Sequence, residues 1–63
     1  MSAVAAKPNA AALAAIESHG RYTEACLRNA DQAAVAHDWP VESMWRAEAA
    51  WNAERALAVA QGA

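Results

Sequence analysis

A break at His37-Asp38-Trp39-Pro40 divides this 63-residue chain into two alanine-rich stretches with helical periodicity. No other feature narrows the possible folds so far. Proline disfavours α geometry in the residue before it and is tolerated in a helix's first turn. The tetrapeptide therefore ends one helix and starts another. Two helices cannot enclose a core on all sides, so large apolar residues on their outer faces must meet a further surface. The chain reads as an all-α antiparallel helical hairpin, with helices over about 10–36 and about 40–61. Two such hairpins are expected to pair into a four-helix-bundle homodimer. Residues 1–8 read as a flexible N-terminal arm and residues 9–63 as the single hairpin domain.

Composition sharpens this expectation. Alanine fills 21 of the 63 positions, while the large aliphatics are Leu13, Leu27, Leu57, Ile16 and four valines. Alanine brings high helix propensity but little area to bury, so the 57% hydrophobic fraction overstates the core. Chains this short are marginal alone and often rely on disulfides, a metal or association. The single Cys26 forms no internal bridge and suits a reducing compartment. Five basic against seven acidic residues give a net charge of −2. Phosphate neutralisation needs a clustered basic face, so nucleic-acid binding is not expected. The N-terminal segment lacks the basic region of a signal peptide, and no apolar run approaches a membrane span. A cytoplasmic protein without a membrane anchor is the expectation.

In the first stretch, Asn9 is placed to cap the helix through its side-chain oxygen. Leu13, Ile16, Gly20, Thr23, Leu27, Ala30, Ala34 and His37 follow an alternating 3-4 spacing that draws one seam. Leu13, Ile16, Gly20, Thr23 and Leu27 are the expected self-association residues. Glu17, Arg21, Glu24, Arg28 and Asp31 line the opposite side as a solvated ladder with acid-before-base pairs. Glycine inside a helix costs about 1 kcal/mol against alanine. The seam nevertheless keeps its phase through Gly20. That favours one continuous helix over two short ones, with the glycine marking a close helix approach.

The second stretch is expected to be capped by Asp38 or Trp39, with Glu42 in its first turn and Gly62 as its stop. It carries two apolar arcs. Val41, Trp45, Ala49, Asn52, Ala56 and Val59 form one, and Met44, Ala47, Trp51 and Ala58 form the other. Trp45 and Trp51 stand about 240° apart and cannot serve one contact. One arc packs on the first helix, and the other needs a second surface.

Residues with chemical potential read mainly as structural. His19 and His37 are separated by about 27 Å along a helix, too far to share an ion. No metal site and no cofactor are expected. Cys26 has no histidine three or four residues on, and His19, seven residues back, is about 10 Å away, so Cys26 reads as a small packing residue. Glu48, beside Trp45 and Trp51, reads as a partly buried acid balanced by Arg55. Tyr22 sits at the margin of the apolar side, suited to a dimer contact. No arrangement supports catalysis, and no enzymatic activity is expected.

The three tryptophans, all between Trp39 and Trp51, are the strongest functional signal. Tryptophan and arginine dominate binding hot spots because they bury large areas and keep a polar contact. Arg55 is one turn from Trp51 and placed to stack on its ring. The partner-binding candidates are Trp39, Met44, Trp45, Glu48, Trp51 and Arg55. The leading expectation is a small non-enzymatic helical module that binds and modulates, or inhibits, a larger protein, such as a phage or mobile-element inhibitor. The alternatives are an oligomer that holds a small molecule or nucleotide between hairpins, and a purely structural assembly bundle.

Overall fold

Alanine-rich sequence on both sides of the Pro40 break forms two long helices packed antiparallel in the computed structural model, which describes residues 10–62. Helix α1 spans Ala10–Val35 and α2 spans Trp39–Gly62. No strand occurs among the described residues. The N-terminal arm and the Asn9 cap lie outside them. Helix α1 runs unbroken through Gly20, as the continuous phase of its pattern requires.

The turn has a defined chemistry. The Asp38 N–H donates to the Ala33 carbonyl at 2.8 Å, and the His37 N–H to the Ala34 carbonyl at 3.0 Å. This pair of bonds is a Schellman motif, which closes a helix C-terminus through one residue in the left-handed region. That residue is His37, at φ 58°. A side chain there is strained where glycine would not be. Asp38 then caps α2: its Oδ1 accepts from the Val41 N–H at 3.4 Å, and its carbonyl from the Glu42 N–H at 2.9 Å. Of the two cap candidates the structure selects Asp38, so Trp39 enters the first turn one residue earlier than expected. At the far end α2 runs to Gly62, the last described residue, which is helical and has no positive φ. Glycine permits the left-handed stop without imposing it.

The seam between the helices is made of small residues. Cys26, Ala30, Ala33, Ala49 and Asn52 are buried, and no large aliphatic or aromatic side chain among the described residues is. The inner face of α2 is the expected arc: Ala49 and Asn52 are buried, and Val41, Trp45, Ala56 and Val59 are half-buried. The inner face of α1 differs from expectation. Ile16, Thr23 and Ala30 lie on it, but their companions are Ala12, His19, Cys26 and Ala33. Leu13, Gly20 and Leu27 stay exposed. The line Ile16–Thr23–Ala30 belongs to both candidate seams, and the helix turns the smaller set of neighbours inward. Small side chains bring the axes close and place His19 opposite Asn52.

Their contact is a polar link inside the seam. Asn52, only 2% exposed, donates through Nδ2 to the Glu48 carbonyl at 2.9 Å. Its Oδ1 is thereby left as an acceptor, 3.2 Å from His19 Nδ1, so that nitrogen carries the proton of the bond. Thr23 Oγ1 donates to the His19 carbonyl at 2.8 Å and holds the same turn. A buried amide with both ends satisfied fixes register, because a slipped pairing would strand its polar atoms.

Candidate functional site

The contact between His19 and Asn52 sets the levels: Tyr22 lies level with Ala49, Gly20 with Trp51 and Leu13 with Ala58. In an antiparallel pair, rotating in the same sense about each helix leads to the same side of the hairpin. Helical phase at about 100° per residue therefore sorts the outer residues into two flanks. Two electrostatic links agree with the sorting. Arg46 Nη2 reaches Asp31 Oδ1 across the helices at 3.4 Å on one flank. On the other, the Glu48 carboxylate acts on Cys26.

The tryptophan flank gathers Met44, Glu48, Trp51 and Arg55 from α2 with Tyr22 from α1. Tyr22, Met44 and Trp51 are each exposed over slightly more than half their surface. The Arg55 guanidinium lies 5.6 Å from the centroid of the Trp51 ring, within cation–π range. That stacking is the one expected from their spacing. The expected Glu48–Arg55 balance is not formed: Glu48 is exposed, and Arg55 goes to the ring instead. Exposure removes the need for a counter-charge, and the ring face is nearer along the helix. Tyr22 joins this set only once the side of the hairpin is known. The signal was the rotational sense of an antiparallel pair, applied to a residue at the margin of the α1 pattern.

The leucine flank holds Leu13, Gly20 and Leu27 from α1 with Leu57 and Trp39 from α2. Leu13, Leu27, Leu57 and Trp39 are all well exposed. Trp39 also meets His37 edge-to-face, with ring centroids 5.4 Å apart. Nothing lies within 4 Å of where a Gly20 side chain would begin. Within the hairpin, Gly20 therefore marks no close helix approach. Ile16 and Thr23 are half-buried in the seam, as is Trp45. The sequence-based candidates thus divide among three places.

Charged residues on the outer surface behave as a solvated ladder with one cross-link. Arg21 Nη2 meets Glu17 Oε1 at 3.3 Å, while Glu24 and Arg28 form no ion pair with each other. Arg46 donates to Glu42 at 2.8 Å as well as to Asp31, and the Glu42 hydrogen bond is the main reason its guanidinium holds its proton more tightly than usual.

Burial pushes the Cys26 thiol above its ordinary range, and the Glu48 carboxylate adds to the effect. Neutral and enclosed, Cys26 is a packing group. Among the described residues no cluster of His, Cys, Asp or Glu could hold a metal ion, and no helix is long and apolar enough to cross a membrane. An open groove of about 500 Å³ lies over the first turns of α1, lined by residues such as Leu13 and Ile16, away from the Trp51–Arg55 pair. No protein-family model matches the chain, and neither a curated protein nor a solved structure matches it.

Proposed function

We propose that this chain is a small non-enzymatic interaction module, built as a dimer of hairpins in a four-helix bundle, that binds a larger protein and modulates it through the tryptophan flank. The observation that carries the reading is Trp51, half-exposed with Arg55 stacked on its ring, where no core of the hairpin uses it. A pre-stacked pair of this kind loses little side-chain freedom on binding and still offers apolar area and a cation. Met44 beside it adapts to an irregular partner surface. Tyr22 adds a hydroxyl at the edge.

The test compares two baits. Trp51→Ala replaces an exposed residue by the best helix former, so the hairpin should keep its helicity. A partner bound through this flank is recovered on the wild-type bait and lost on the variant, with affinity falling at least about 30-fold for a hot-spot tryptophan. Equal recovery of every captured protein on both baits defeats the proposal.

A further inference from the structure

Five of the exposed large apolar residues, Leu13, Leu27, Val35, Trp39 and Leu57, fall on or beside the leucine flank by helical phase, opposite Trp51. We propose that a second copy of this chain covers that flank, the two hairpins being related by a twofold axis parallel to the helices. Helix α1 of each then lies over α2 of the other, and the two tryptophan flanks face outward on opposite sides. The inference rests on the dimer reading above. It adds the face, the symmetry and the valency: one assembly presents two equivalent partner sites.

Three observations select this arrangement. An axis parallel to the helices keeps every residue at its own level. Leu13 therefore meets Leu57 of the other copy near the open end, and Val35 meets Trp39 near the turns. Gly20 falls at the middle of the face, level with Trp51, where Ala50 and Ala53 turn their methyl groups toward the same flank. An exposed mid-helix glycine with nothing within 4 Å serves no contact inside the hairpin, while a residue without a side chain lets a second pair of helices cross closely. Charge decides between the two possible axes. The parallel axis sets Glu24, which forms no ion pair among the described residues, level with Arg46 of the other copy, itself already paired with Glu42 and Asp31. An axis across the helices, centred on the same crossing at Gly20, would instead bring Glu17 of one copy close to Glu24 of the other. An isologous contact repeats each interaction twice, so the like pair would be penalised twice and the opposite pair favoured twice.

Absolute mass by light scattering over a dilution series, with helicity followed by circular dichroism, tests the proposal. Wild type should measure twice the 6.6 kDa chain mass. Gly20→Arg places a large side chain at the crossing but improves helix propensity, so it should raise the dimer dissociation constant at least about tenfold without loss of helicity. Glu24→Arg should weaken the dimer, and adding Arg46→Glu should restore part of the loss relative to Arg46→Glu alone. Trp51→Ala should leave the mass unchanged. A chain that stays at the mass of one copy to millimolar concentration overturns the inference, as does a dimer indifferent to Gly20→Arg. A dimer dissolved by Trp51→Ala overturns it too and assigns the tryptophan flank to self-association. Equal partner recovery on wild type and Trp51→Ala, with a dimer that Gly20→Arg weakens and Trp51→Ala spares, would sink the functional reading alone.

Discussion

The seam and the flanks of this hairpin reverse the usual placement of bulk. The buried residues between the helices are alanines, a cysteine and one amide, whereas the leucines, Trp39, Trp51 and Met44 stand outside with about half their surface in water. Burying a Leu, Met or aromatic side chain contributes roughly 1.5–3 kcal/mol, and an alanine methyl far less. The seam thus sets distance and register, and most of the apolar surface able to stabilise an assembly remains on the flanks. In the proposed dimer that division couples folding to association.

Overpacking the seam should break the comparison most severely. Ala30 is fully buried between the helices, and Ala30→Leu forces their axes apart, costing about 3 kcal/mol in thermal or urea unfolding. The same volume change on a flank carries no such cost. Next in size is the polar link. Asn52→Ala strands the His19 ring N–H in the seam and should cost about 1–3 kcal/mol. The His19→Ala, Asn52→Ala double variant should lose less than the sum of the two single changes, because each removes the same bond. Additive losses would show that the pair is not coupled. The smallest effect belongs to the turn, which holds the seam without contributing to it. His37→Gly relieves a side chain at φ 58° and should stabilise the hairpin by about 1 kcal/mol, read as a rise in melting temperature. A fall would mean that the His37–Trp39 ring contact outweighs the strain.

Much of the candidate site was legible beforehand. The i, i+4 spacing of Trp51 and Arg55 gives their stacking, and of the six partner-binding candidates Met44, Glu48, Trp51 and Arg55 share one flank while Trp39 and Trp45 do not. Three details were not legible. Glu48 was expected to be partly buried, because a one-helix projection shows neighbours in phase but not the distance of the partner helix. Tyr22 could not be joined to Trp51 until the hairpin's sides were known. The left-handed residue at the turn was unmarked, since the sequence offers histidine where a glycine would have announced it.

Pro40, the two apolar periodicities and the run of strong helix formers determined two helices, their break and the inner face of α2. These are local properties, carried by propensity and by the period of 3.6 residues. The inner face of α1 was decided only in the folded chain. Ile16, Thr23 and Ala30 fit a seam with Leu13, Gly20 and Leu27 on one side or with Ala12, His19, Cys26 and Ala33 on the other. The two faces lie within half a turn of each other, and one-dimensional spacing weighs them equally. Close approach of small side chains, together with a buried amide that finds its acceptor and donor only in one register, chose the second. That choice left the leucines facing outward.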